Sequence, residues 1–144
     1  MKRIAFAFLL IGFTLVSCKE DSGASPLTLN SINKIQFQET LSDGKISVKF
    51  LEVISDSRCP ASANCVWEGN AEMKFELFES RQIIPFTIFA NNQQKLGMRS
   101  DTIISQYRFE VMSLEPYPET TNKISPADYL VKILVEQMNT PHQN

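Results

Sequence analysis

The chain has 144 residues, of which 43% are hydrophobic, and a formal net charge of −2 at neutral pH. This length suits one domain with a sizeable hydrophobic core. The mixed and mildly acidic charge argues against a nucleic-acid-binding protein, because such proteins cluster lysine and arginine on one surface.

The first residues have the pattern of an export signal. Lys2 and Arg3 precede an apolar run over residues 4–16, and the small residue Ser17 follows that run. A basic start, a short apolar segment and a small residue at the cleavage point are typical of a signal peptide. The run is too short for a permanent transmembrane helix, which needs about 20 apolar residues. We therefore predict a cleaved signal peptide over residues 1–17.

The residues around the predicted cleavage point, from Leu15 to Cys18, read Leu-Val-Ser-Cys. This tetrad resembles the lipobox of bacterial lipoproteins. The resemblance implies cleavage before Cys18, a diacylglycerol on its sulfur and usually an acyl chain on the freed amine, which makes the membrane a partner. Two or more acyl chains give a stable anchor where one chain does not. The alternative is an ordinary secretory signal in which Cys18 is incidental.

The residue after Cys18 implies which membrane receives the protein. By the sorting rule of bacterial lipoproteins, Lys19 in place of an aspartate implies the outer membrane. The run Lys-Glu-Asp over residues 19–21 is also similar to the short charged signal that sends some lipoproteins to the cell surface. We therefore expect an outer-membrane lipoprotein, and its exposure at the cell surface stays open.

Three segments follow the predicted signal peptide. Residues 18–30 are mostly polar and are interpreted as the lipidated cysteine with a flexible tether. Residues 31–138 are expected to form a β-domain. Residues 139–144, which contain the single histidine of the chain, His142, are expected to be a disordered tail.

Apolar and polar residues alternate along most of the β-domain, which is typical of half-buried strands. The alternation runs through residues 34–38, 46–50, 71–77, 83–89, 107–111 and 129–135. Pro85 cannot donate to a strand ladder, and this predicts an edge position for its strand. The alternation slips by one residue after Phe50 and after Val111, which predicts a β-bulge or a bend at each position.

Turn-forming residues separate these predicted strands. Residues 42–44, Ser-Asp-Gly, are typical of a hairpin turn, Asn91 and Gly97 open a polar connection, and residues 116–118, Pro-Tyr-Pro, favour an extended stretch. No segment of the β-domain has a helical period. Six or seven antiparallel strands predict an all-β fold, either a small β-sandwich or a partly open barrel.

Two cysteines remain when Cys18 carries lipid, and Cys65 follows Cys59 by six positions. One pair in an oxidising compartment predicts a structural disulfide. A thiol–disulfide catalyst is less favoured, because its cysteines usually flank two residues at the start of a helix. A zinc site is also disfavoured, since two thiols find neither a second pair nor a nearby histidine. No metal ion or other cofactor is expected.

Several motifs resemble those of a functionally uncharacterised family of bacterial envelope β-domains. They read Asp-Ser-Arg-Cys-Pro over residues 56–60, Cys-Val-Trp-Glu-Gly over 65–69 and Leu-Glu-Pro-Tyr-Pro over 114–118, with a closing strand that follows Asp128. The likeness covers most of the chain after the signal peptide. It implies one β-domain and gives no activity.

Three motif residues, Arg58, Trp67 and Tyr117, have two interpretations. In the structural one, Arg58 pairs with Asp56 to hold the cysteine loop, and Trp67 packs on the disulfide. In the functional one, Arg58, Trp67 and Tyr117 form an exposed binding surface, because these residue types dominate interface hot spots. Burial of Trp67 would remove it from any recognition role.

Catalytic residues are not expected, because a chain without an internal histidine lacks the base of a Ser-His-Asp or Cys-His site. We therefore predict a non-catalytic binding or structural module, which presents a sheet face or a loop end to an envelope protein, an external protein or a glycan. The alternative is a peptidase inhibitor that uses the disulfide-braced loop 59–65, since bracing lowers the entropic cost of binding.

Overall fold

The structure is a computed structural model that describes residues 23–90 and 98–138. Two sheets, antiparallel except for one short edge strand, pack face to face as a β-sandwich, which decides between the two predicted architectures. The predictions for the signal peptide, for Cys18, for the connection between Asn91 and Gly97 and for the tail 139–144 lie outside the described residues.

The described residues form nine strands and one short 3₁₀ helix, Pro126–Asp128. In spatial order, the first sheet contains β1 (Ser25–Pro26), β3 (Thr40–Ser42), β4 (Ile46–Asp56), β5 (Ala71–Glu79) and β6 (Gln82–Phe89). The second contains β2 (Ser31–Gln36), β9 (Leu130–Gln137), β8 (Tyr107–Glu115) and β7 (Asp101–Ile104). Neighbouring strands are antiparallel except for β1, which runs parallel to β3.

The six strands predicted from alternation are confirmed as β2, β4, β5, β6, β8 and β9. The predicted count of six or seven is too low, because β1, β3 and β7 have only 2, 3 and 4 residues. Strands this short cannot repeat a period-two pattern, so their sequences carry almost no signal. Their partners in the sheets define them instead.

The folded domain begins earlier than predicted. Ser25 and Pro26 pair with Leu41 and Ser42, and Leu27 is buried in the core with 6% of its surface exposed. The predicted tether over residues 18–30 is therefore wrong from Ser25 onward. Burial of the apolar Leu27 stabilises the folded state, and this burial places the two residues of β1 beside β3 in the first sheet.

The predicted interruptions of the alternation are confirmed. The pairing register shifts between Phe50 and Glu52 in β4 and between Val111 and Ser113 in β8. Pro85 lies in β6, at the edge of the first sheet. The hairpin turn before β4 is also confirmed, since Gly44 has a φ of 87°.

The core lies between the two sheets and contains a row of phenylalanines. Phe50, Phe75 and Phe86 stack across neighbouring strands of the first sheet, with ring centroids 5.2 and 5.5 Å apart. Phe86 also contacts Phe109 of the second sheet at 4.9 Å. Aromatic pairs at these separations contribute about 0.5–1.5 kcal/mol beyond the burial of their area. The row therefore joins the two sheets.

Replacement of Phe75 by alanine tests the importance of this row. Phe75 is fully buried and stacks on both Phe50 and Phe86. We expect Phe75→Ala to lower the free energy of unfolding by about 3–5 kcal/mol, because the cavity removes contacts on two sides. Phe78→Ala on the same strand is the control, since Phe78 is 46% exposed. Urea denaturation measures both, and equal losses would contradict this account of the core.

Candidate functional site

The connection between β4 and β5 is closed by the predicted disulfide. Cys59 and Cys65 are bonded, with an S–S distance of 2.12 Å and a Cα–Cα distance of 6.0 Å. Inside the ring, the Ala63 N–H donates to the Pro60 carbonyl at 2.9 Å. The loop from Cys59 to Cys65 is therefore folded into a tight turn.

This disulfide loop is held against the chain that follows β8. The Ala61 N–H donates to the Pro118 carbonyl at 2.9 Å, and the Ser62 N–H donates to the Glu119 carbonyl at 3.1 Å. The Tyr117 hydroxyl donates to the Cys59 carbonyl at 2.9 Å. The two connections belong to different sheets, so these hydrogen bonds close one end of the sandwich.

Arg58 lies beneath the disulfide loop, with only 2% of its side chain exposed. Its Nε and Nη2 donate to the two Asp56 carboxylate oxygens at 2.8 and 2.6 Å. Its Nη1 donates to the Leu114 carbonyl at 2.7 Å, and Nη2 also donates to the Pro116 carbonyl at 3.0 Å. The guanidinium thus ties the end of β4 to the end of β8.

The assignment of Arg58 to an exposed binding surface is wrong. A buried guanidinium must have its charge balanced and its N–H groups bonded, and Asp56 and two carbonyls supply both here. The Tyr117 ring also covers it, with its centroid 5.3 Å from the guanidinium carbon. The predicted pairing of Arg58 with Asp56 is confirmed.

Asp56 is bonded from three sides. Besides two bonds from the Arg58 guanidinium and one from the Arg58 backbone N–H, it accepts a hydrogen bond from the Tyr129 hydroxyl at 3.1 Å. Burial tends to raise the pKa of Asp56, but the hydrogen bonds and charge of Arg58 outweigh it and hold this pKa below its ordinary value. Asp56 is therefore an ionised structural carboxylate at neutral pH.

Tyr129 has the opposite shift. Burial, together with the negative charge of Asp56 and the hydrogen bond to it, raises the pKa of Tyr129 to about 12. Tyr129 lies 73 positions after Asp56 in the chain. No local sequence pattern predicts this contact, and Tyr129 was missed as a member of the cluster.

Gly69 allows the loop to return close to itself. Its φ is +68°, and a Cβ atom at this position would lie 1.8 Å from the Ser57 carbonyl oxygen. A side chain here would collide with backbone, so only glycine fits without movement. The glycine of the Cys-Val-Trp-Glu-Gly motif therefore has a structural role.

The outer part of the loop is exposed. Val66 has 105% of its reference surface exposed, and Trp67 and Tyr117 have 60% and 51%. Trp67 therefore does not seal the end of the sandwich, and its exposure is compatible with the functional interpretation. Of the three residues assigned to a binding surface, the structure exposes Trp67 and Tyr117 and buries Arg58. Val66 lies outside the predicted binding surface. Its position beside Trp67, within the same motif, could have indicated that the two side chains share an exposed surface.

An open groove of about 380 Å³ lies beside the loop, between the end of β4 and the connection that leads to the 3₁₀ helix. Asp56, Arg58 and Tyr129 line it, and their polar atoms already bond one another. New hydrogen bonds to a ligand would come from exposed polar residues of the rim, which are Ser55, Thr120, Thr121, Asn122 and Lys123. No local sequence pattern predicts this groove, because its walls come from segments distant in the chain.

Comparison with protein-family models, with curated proteins and with solved structures found no match to this chain. Within residues 23–90 and 98–138, no helix has the length and apolar character needed to cross a bilayer. Over the same residues, no three acidic, histidine or cysteine side chains come together as a metal site.

Arg58→Met tests whether the cluster holds the two sheets together. We expect a loss of about 3 kcal/mol in the free energy of unfolding, because Asp56, whose side chain is 14% exposed, then keeps its charge without its partner. Arg108→Met is the matched control. Arg108 also bonds carboxylates, but its side chain is 29% exposed on an outer sheet face, so we expect about 1 kcal/mol or less. Chemical denaturation compares the two, and similar losses would refute a special role for Arg58.

Alkaline titration tests the Tyr129 contact. The unfolded chain releases its tyrosine protons near pH 10, whereas folded Tyr129 keeps its proton until about pH 12. Stability from this group is therefore complete below pH 10 and is lost as the pH rises from 10 to 12. Tyr129→Phe should reduce the slope of this decline but not abolish it. The remaining slope is expected from Tyr107, because burial also raises the pKa of that residue. Thermal unfolding at pH 8 to 12 measures the slope; an unchanged slope in Tyr129→Phe would contradict the assignment.

Proposed function

We propose that the chain is an outer-membrane lipoprotein, anchored through lipid on Cys18, whose β-sandwich is a non-catalytic binding module. Its contact surface is the loop end of the sandwich, where Val66, Trp67 and Tyr117 are exposed. The observation that carries this proposal is the exposure of Trp67 on a loop that is fixed from three sides.

The rigidity of the loop supports binding rather than simple surface coverage. The disulfide, the hydrogen bonds to Pro118 and Glu119 and the buried Arg58 all restrict the loop before any partner arrives. A contact loop that is already ordered loses less conformational entropy on binding. Tryptophan and tyrosine then supply large contact areas at a low further cost.

The short distance between anchor and domain supports an envelope role. Cys18 precedes Ser25, the first residue of β1, by seven positions. A chain of this length spans at most about 25 Å. A domain on this tether would work close to the bilayer, with an envelope protein, an external protein or a glycan within its reach as partner.

The peptidase-inhibitor alternative receives no support from the loop geometry. An inhibitory loop lies extended in the cleft of a peptidase and offers its backbone for pairing with the enzyme. In this chain the Ala61, Ser62 and Ala63 N–H groups are already bonded within the protein. The disulfide loop is therefore better suited to bracing Trp67 than to entering a cleft.

Cysteine variants separate anchoring from folding. We expect Cys18→Ala to abolish lipid labelling and to release the protein from outer-membrane fractions, with its thermal unfolding unchanged. The double variant Cys59→Ser and Cys65→Ser should stay in those fractions and lose about 2 kcal/mol of stability, since its closed loop is short. Metabolic labelling with palmitate, membrane fractionation and thermal unfolding measure these outcomes.

Two results would contradict this division of roles. The first is equal release of both variants from the membrane, and the second is retention of Cys18→Ala with lipid label. Protease digestion of intact cells, with lysed cells as control, then determines which face of the outer membrane carries the domain. Digestion before lysis indicates the cell surface, and protection until lysis indicates the periplasm.

A further inference from the structure

The loop tip, defined here as residues 61–67, has an unusual composition for an exposed segment. All seven residues are exposed, and none of them is acidic or basic. It ends in Val66 and Trp67, two of the large hydrophobic side chains that the domain leaves exposed. Tryptophan is enriched at the membrane–water interface, because its ring is apolar and its N–H can still bond to water or headgroups.

The direction of β1 relates this tip to the membrane anchor. β3 runs toward the hairpin turn at Gly44, and β4 returns from that turn toward the disulfide loop. Since β1 is parallel to β3, the chain before Ser25 lies on the disulfide-loop side of β1. Gly23 and Ala24 line a shallow pocket with Thr40, Ser42 and Ser47, so the chain before β1 stays beside the first sheet. The chain therefore approaches the domain from the end that carries the loop tip.

The chain between Cys18 and β1 is long enough to reach the level of the disulfide loop. Ser25 pairs with Leu41, which in turn pairs with Val48 of β4. From Val48, β4 continues through two bulges to Asp56, and β5 covers the same stretch in six residues, from Leu77 to Ala71, which is about 20 Å of strand. The seven residues from Cys18 to Ser25 reach about 25 Å. A lipid on Cys18 can therefore lie level with the disulfide loop, about 10 Å aside across two strand spacings.

The opposite end of the sandwich is less suited to a bilayer. Its turns contain Asp43, Lys45 and Arg81, which are all charged. At the loop end, the exposed Glu68 directly follows the tip, and Glu119, Lys123 and Asp128 lie in the neighbouring connection. The apolar contact is thus confined to the tip, which favours shallow insertion among lipid headgroups over deep burial.

We propose that the loop tip contacts the surface of the same bilayer that holds the lipid on Cys18. This proposal rests on the lipid anchoring proposed above and names the partner of the exposed loop end as a lipid surface. The contact gives the domain a second attachment point and a fixed orientation, with the loop end toward the membrane and the Gly44 turn away from it.

The single tryptophan of the chain makes Trp67 a direct probe of this contact. The full lipidated protein, purified from membranes, is reconstituted in phosphatidylcholine vesicles whose acyl chains carry bromine near the headgroup. We expect Trp67 to lose most of its emission relative to vesicles without bromine, and its emission maximum to shift to the blue. Val66→Asp should keep the fold, because Val66 is fully exposed, and should remove most of the quenching.

A second probe at the opposite end is the matched control. Phe78, 46% exposed, lies two residues before the turn that joins β5 to β6, so Trp67→Phe combined with Phe78→Trp moves the tryptophan there. We expect no quenching of this second probe. Quenching at both positions, or only at position 78, would overturn the proposed orientation.

Flotation of the vesicles distinguishes a missing lipid anchor from a missing contact between the loop tip and the bilayer. A protein that floats with the vesicles but keeps full Trp67 emission is anchored without loop contact, which overturns this inference and leaves the loop end to a protein or glycan. A protein that does not float lacks a functional anchor, which overturns the proposed lipoprotein and this inference with it.

Discussion

The buried guanidinium of Arg58 is the interaction on which the loop end depends. Packing of two β-sheets through their apolar faces does not by itself hold the connections at the ends of the sheets together. Arg58 holds them at this end, because its charge pairs with Asp56 and its remaining N–H groups donate to carbonyls at the end of β8. The disulfide, the return of the chain at Gly69 and the position of Tyr117 are all arranged around it. The position of the exposed disulfide loop therefore depends on the buried Arg58 beneath it.

The fold was predictable where a property of neighbouring residues determines it. Alternation with a period of two is visible within five residues, so the long strands and the slip after Phe50 could be identified directly. The edge position of Pro85 follows from a missing N–H group. The two-residue strand β1 has no such pattern, because Leu41 and Ser42, some 16 positions later, define it. Because β1 belongs to the first sheet, the domain begins at Ser25 and not at the predicted residue 31.

The candidate site was predictable only in its local parts. Asp56 and Arg58 are two positions apart, and the two cysteines are six apart, so their pairing could be inferred from the sequence. The contacts of Arg58 with Leu114 and of Asp56 with Tyr129 join residues 56 and 73 positions apart. The exposure of arginine also cannot be inferred from its type, since the same side chain serves hot spots and buried ion pairs.

Under the anchoring proposed above, the proline in β6 has a consequence for copies that share one bilayer plane. Anchored molecules diffuse in two dimensions, where they meet side by side far more often than in solution. An open strand edge under these conditions would favour stacking of copies into ribbons. Pro85 lies at such an edge, opposite Glu76, and cannot donate a hydrogen bond to a neighbouring molecule. In the proposed anchored state, Pro85 thus disfavours edge-to-edge pairing of neighbouring copies.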